Sequence, residues 1–314
     1  MKQAYFIATQ NAFERITEMF DVIHPITVSY WNMKSEILGL KALYPDITES
    51  KFNARYNIAH VVHGVSFKHS FVDMDWDDFT ENVGWIVLNN VISIYEGWLK
   101  ELHDDVFNDS ACELKEKEMQ FPTNGVKGII PQVTRLTAAQ STLVKNGFYN
   151  FFRLKPHYSS VSLDNLLYCY RYFKEMRNCY LHNGIIATQN LINAYNDFLP
   201  VASSVLLGVK ECPKYIKPVI NEKAKVSLRG VIGFSEIILN IIVTCDAELL
   251  CSKYAEIDMY KRLNSHVSIK KVISSNPTKA KKQVEGYFVK HGFVKPQNVD
   301  EMKQYLLDNK MILR

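Results

Sequence analysis

Along most of the chain apolar residues recur at intervals of three and four, the spacing that turns one face of a helix toward a core. Residues 2–46 carry two such patterns. Pro25, directly after His24, is expected to end the first, because its ring removes an N–H and crowds the preceding turn. The second, over 28–44, sets Trp31, Ile37, Leu40 and Leu43 on one face that reads as buried. From about 45 to 75 the pattern turns mixed, and IAHVVHGVSFKHSFV alternates in the manner of extended chain. A long helix is expected from Asp77, since carboxylates suit a helix's positive end. At roughly 100° per residue Val87, Val91, Ile94, Trp98 and Leu102 share its face. Residues 113–131, with Pro122, Gly125 and Gly128, read as a loop. Further helical patterns cover about 133–153, 162–184 and 188–199, the last closed by Pro200. After Pro213 the run YIKPVINEKAKVSLRG reads as extended, the length of a short hairpin. GFSEIILNIIVTCDAELLCSKYAEI then forms a helix apolar nearly all round, packed on several sides or against a second subunit. Asn276-Pro277 and Val299-Asp300 would start two short helices.

Long helices with short joints predict a mainly all-α protein whose centre, residues 76–252, is an up-and-down helical bundle. Residues 1–75 form an N-terminal helical extension and 253–314 a small C-terminal cap. The 47% hydrophobic and 22% charged fractions of the 314 residues describe a globular chain. A net charge of +4 permits an anionic partner without demanding one. The charge is uneven, however: from Lys253 onward thirteen Lys or Arg face six Asp or Glu. Lys279, Lys281, Lys282 and Lys290 are interleaved there with Tyr287, Phe288, His291 and Phe293. Two readings are open: a surface that holds RNA by its phosphates, with aromatics for stacking, or a solvated lysine face. Six cysteines show no C-x-x-C pair, which fits reduced thiols in a cytoplasmic protein. No signal-peptide pattern opens the chain, and the most apolar stretch, 231–243, is short of a membrane span and holds Ser235 and Glu236, so no membrane partner is expected. His60, His63 and His69 lack the cysteine or carboxylate companions of a metal centre, and none is predicted. No phosphate loop, H-E-x-x-H, G-x-S-x-G or G-x-G-x-x-G is present.

The densest chemistry lies in SLDNLLYCYRYFKEMRNCYLHNG, residues 162–184. Leu163, Leu166, Leu167, Tyr170, Phe173 and Leu181 fall on one stripe, and Arg177 lands near its middle. A guanidinium keeps its charge, and burying it alone costs several kcal/mol, so an anion is required: a carboxylate or a phosphate. Asn178 follows directly, and His182 stands five residues on, just before an Asn-Gly stop.

This Arg-Asn-x3-His arrangement on an apolar-striped helix resembles the signature of HEPN domains, the helical ribonucleases of bacterial toxin and antiviral defence systems. Tyr95-Glu96-x-Trp98-Leu99 is similar to the pattern on the first helix of such domains, making Glu96 a candidate partner for Arg177; a solvated carboxylate is the other reading. The resemblance implies a HEPN-like bundle and a metal-independent endoribonuclease, without cofactor, of a toxin or antiphage system. It would act as a homodimer on RNA, with an antitoxin or defence protein as a further partner. In that reaction a ribose 2′-hydroxyl attacks phosphorus and leaves a 2′,3′-cyclic phosphate. Arg177 would hold the phosphate, His182 would move protons, Asn178 would orient one or the other, and Glu96 would support Arg177. His182 in a last helical turn, where the negative helix end suits an imidazolium, is cast as the general acid. Residues five apart are rotated by roughly 140°, a gap that arginine's length or a second copy must close. The alternative implied by the same likeness is a catalytically inactive dimerisation or RNA-binding module.

Overall fold

The computed structural model describes residues 4–56, 66–110, 113–265 and 271–313. It is mainly helical. In chain order the helices are α1 (Ile7–Leu43), α2 (Glu49–Tyr56), α3 (Trp76–Asp105), α4 (Ile129–Leu136), α5 (Thr142–Val144), α6 (Asn150–Arg153), α7 (Leu163–His182), α8 (Gln189–Phe198), α9 (Ser204–Leu207), α10 (Leu228–Leu249), α11 (Lys253–Asn264), α12 (Pro277–Lys290) and α13 (Val299–Asp308). Two short strands, β1 (Lys271–Val272) and β2 (Ile312–Leu313), pair in parallel.

The centre is α10, packed against α3 and α7, with α8 behind α7 and α1 along α3. Phe234, Ile238, Ile241 and Cys245 are buried on one side of α10 and Asn240, Val243 and Ala247 on others, which is why its sequence is apolar nearly all round. It is the one helix among the described residues long and apolar enough, by length and composition, to cross a bilayer; 67% of that stretch is buried inside the protein. Around it Trp98, Tyr95, Tyr170, Phe234 and Phe173 touch ring to ring in that order, Tyr95 meeting Tyr170 edge-on and the other pairs stacked, each ring burial contributing about 1.5–3 kcal/mol. On α3, Val87, Val91, Trp98 and Leu102 are buried as the periodicity requires, and the Asp75 carboxylate caps the helix by accepting from Asp78 N at 2.7 Å.

Several expectations are corrected. Pro25 does not end a helix: α1 runs through it for 37 residues. Its second half buries Ile37 but leaves Trp31 50% and Leu43 76% exposed, so the face expected to be buried is mostly solvated. What holds that half is aromatic contact with the chain before and within α3. Tyr30 stacks on Phe79 and Phe71, Trp31 meets Trp76 edge-on, and the Lys34 ammonium donates to the Phe71 carbonyl at 3.0 Å. Of the stretch expected to be extended, residues 58–72, the described part turns helical from 67 and enters a π-helical turn, His69–Asp73, while 58–65 lie outside the described residues; before it, in the mixed segment, stands α2. The single helix expected over 133–153 is broken, because residues 139–141 pair with the chain after α10: Ser141 N donates to Cys251 O and Lys253 N to Ala139 O. No hairpin forms after Pro213. That segment pairs instead with 185–187, through Ala224 N to Ile185 O at 2.8 Å and Ala187 N to Glu222 O at 2.8 Å.

Candidate functional site

Helix α7 buries Leu163, Leu166, Leu167, Tyr170 and Phe173 as its pattern predicts, together with Cys169, Tyr172, Met176 and Cys179 on flanking positions. The stripe stops short of its expected end. Leu181 is 48% exposed and the last turn, with His182, Asn183 and Gly184, stands in solvent. The Asn-Gly stop works as expected: Asn183 N and Ile185 N both return to the Cys179 carbonyl, at 3.1 and 3.0 Å, and Gly184 takes a left-handed φ of 57°. Ile185 also has a positive φ, 70°, an outlier for a β-branched residue, and the pairing of 185–187 with 222–224 holds it there.

Arg177 is partly buried, its side chain 19% exposed, and its Nη2 lies 3.6 Å from a Glu96 oxygen. The carboxylate expected on α3 is therefore the one that meets it. Lys174, one turn earlier, also contacts Glu96, so two cations share one carboxylate. Burial, reinforced by the Arg177 charge and opposed by Glu175, pushes the Lys174 amine down to about 8. The Nε of Arg177 is buried without a hydrogen-bond partner, and so is Asn89 Oδ1 on α3. The spot thus keeps one net positive charge and one unused guanidinium donor.

Asn178 belongs to a different set. Its Nδ2 donates to Glu175 Oε2 at 3.1 Å, Glu175 pairs with Arg171, and the Arg171 guanidinium lies 4.1 Å from the Phe121 ring centre. His182 forms no hydrogen bond or ion pair with Arg177, Asn178 or Glu96 among the described contacts. Helix geometry accounts for this: at roughly 100° per residue Tyr168, Arg171, Glu175, Asn178 and His182 fall in one row, while Arg177 lies about 140° round the helix. Sequence reasoning missed Lys174, Arg171 and Glu175. The i, i+3 spacing of Lys174 to Arg177 and the i, i+4 spacing of Arg171 to Glu175 were the signals that could have found them.

In the C-terminal cap Lys279, Lys281, Lys282 and Lys290 all project from α12 into solvent. Two of the interleaved aromatics, Phe288 and Phe293, are buried against Phe148 and so unavailable for stacking, and Phe293 also meets Tyr5; Tyr287 and His291 are half-buried, and the Tyr287 hydroxyl donates to Leu263 O. Among the described residues no three His, Cys, Asp or Glu side chains gather as metal ligands. His69 is exposed, and His60 and His63 lie outside the described residues. Cys169, Cys179, Cys245 and Cys251 are buried free thiols and Cys212 a half-buried one.

No family model matches the chain, nor does any curated protein or any solved structure.

Proposed function

We propose that the protein is an endoribonuclease of the HEPN type, acting in the cytoplasm as part of a toxin or antiphage defence system. The observation that carries this reading is the surplus cation on α7: Lys174 and Arg177 on the single carboxylate of Glu96, an unused Nε, and a solvent-open histidine five residues on. A phosphodiester supplies the missing anion, and two of its oxygens suit the guanidinium fork. The chemistry asks for no metal. A base takes the 2′-hydroxyl proton, the 2′-oxygen bonds to phosphorus, the bond to the 5′-oxygen breaks, and an acid returns a proton to that oxygen. His182 moves these protons, and Lys174 and Arg177 stabilise the phosphorane's charge. Because His182 and Arg177 lie on different sides of α7, we assign the working enzyme to a homodimer, in which one protomer's His182 serves the phosphate held by its partner's α7.

A catalytically silent RNA-binding module is the second reading, favoured by Asn178 being engaged by Glu175 and not by His182. Cleavage of total RNA in EDTA separates the two. Arg177→Ala and His182→Ala are each expected to lower the rate by about 10²-fold or more, the usual scale for a transition-state cation or a general acid. They should likewise relieve growth inhibition on overexpression. Cleavage by both variants at the wild-type rate removes the enzymatic reading, and RNA binding without cleavage establishes the second.

A further inference from the structure

A cleft of about 900 Å³ opens between the loop 117–128, the middle of α7 and one face of α8 along its length. Phe121, 45% exposed, forms part of its wall and carries the Arg171 guanidinium over one ring face. The ion pair to Glu175 fixes that guanidinium in place. Lys117 and Lys127 stand exposed at the rim, and Asn190 and Asp197 face them from α8. A planar platform, two rim lysines beside Arg171, three amides and three carboxylates, of which Glu175 is already paired with Arg171, thus line a single concavity.

The loop wall is set in advance. Asn124 and Lys127 exchange backbone hydrogen bonds at 2.8 and 3.1 Å, Ile129 N donates to Phe121 O at 3.1 Å, and Asp164 accepts from both the backbone N and the hydroxyl of Thr123, at 2.9 and 2.8 Å. Gly128 has φ 101°, and a side chain there would strike the Pro122 backbone. A wall built this way loses little freedom when a ligand enters. The cleft also has a direction. Tyr168, Arg171 and Glu175 belong to the helical row that ends in His182, about two turns or ~10 Å beyond Glu175.

We propose that this cleft is the recognition subsite for single-stranded RNA. An unpaired base lies beside Phe121 and Arg171, Asn190 and Asp197 bond its edge or its ribose hydroxyls, Lys117 and Lys127 take the flanking phosphates, and the strand runs along α7 to His182. Unpaired bases alone offer both faces and edges to such a platform. The assignment rests on the ribonuclease reading for its ligand class.

Fluorescence anisotropy with a short, labelled, unpaired RNA tests it, using the full-length His182→Ala protein so that no cleavage intervenes. Adding Phe121→Ala is expected to weaken binding about tenfold, the scale of one lost base stack. Adding Asn190→Ala instead should weaken it several-fold, and Lys127→Glu should make the affinity less dependent on salt. Phe121 and Asn190 are exposed, so an unchanged melting temperature is expected for both variants. Unchanged affinity in both, or no RNA binding by the His182→Ala protein, overturns the proposal. Wild-type cleavage with binding indifferent to Phe121 refutes the cleft alone. Phe121-dependent binding without wild-type cleavage refutes the ribonuclease alone.

Discussion

Glu96 answers two cations, and its loss should be felt more than the loss of either. Glu96→Gln leaves Lys174 and Arg177 facing each other without a carboxylate. With these side chains 30%, 12% and 19% exposed, the expected cost in a urea melt is about 1–2 kcal/mol, below that of a wholly buried broken pair. Arg177→Ala leaves a neutral Lys174–Glu96 pair and should change stability by less than about 1 kcal/mol. The contrast follows from two cations sharing one carboxylate; equal losses in the two variants would contradict that sharing. At this scale the sequence was partly legible. Arginine on an apolar stripe announced its need for an anion, and the Tyr-Glu-x-Trp-Leu pattern pointed to Glu96, which the fold brings to it. The company of Asn178 was not legible, because the Arg171–Glu175 pair that engages it could be solvent-facing in any helix with this spacing.

Pro25 separates what local rules foretell from what packing permits at the scale of elements. Its missing N–H and ring clash should break α1, yet α1 continues, with the later half clamped by Tyr30 on Phe79 and Lys34 on the Phe71 carbonyl. Those contacts join residues 37 and 49 apart in sequence, so no window of periodicity reveals them. If the helix carries the proline at a cost, Pro25→Ala should raise stability by about 1–3 kcal/mol, read as a higher melting temperature. An unchanged or lower value would mean that the proline's restriction of the unfolded chain matters as much. The split of the helix expected over 133–153 has the same origin: residues 139–141 are drawn into pairing with 251–253. Where a helix's stops are local, as at Asp75, Asn183 and Asn276, the sequence marked the boundary closely.

In the whole molecule, one continuous core joins the N-terminal helix, the central bundle and the C-terminal cap. Two buried charges tie them. Asp246 on α10 accepts the Tyr5 and Phe6 N–H groups at 2.8 and 3.1 Å, capping α1 from another helix. Arg262 on α11 donates to Tyr5 O and Gly292 O, pairs with Asp258 and lies over Phe293 at 3.8 Å. Burial raises the Asp246 carboxyl from 3.8 to about 6, against the lowering effect of its Tyr5, Phe6 and Thr9 hydrogen bonds and of Arg262. The folded state then binds more protons than the unfolded chain between about pH 4 and 6, so this group's contribution to stability falls as pH rises through that window. Urea melts at a series of pH values should show that slope in the wild type and lose it in Asp246→Asn; an equal slope in both would exclude Asp246 as its source. Neither tie was visible in sequence, since each joins residues more than 200 positions apart. The central claim concerns what this scaffold presents on α7, and the end chemistry of cleaved RNA tests it most directly. Purified protein incubated with transfer RNA in EDTA should leave 2′,3′-cyclic phosphate and 5′-hydroxyl ends, absent with His182→Ala. Intact RNA under those conditions, or ends carrying 5′-phosphate, would contradict the account.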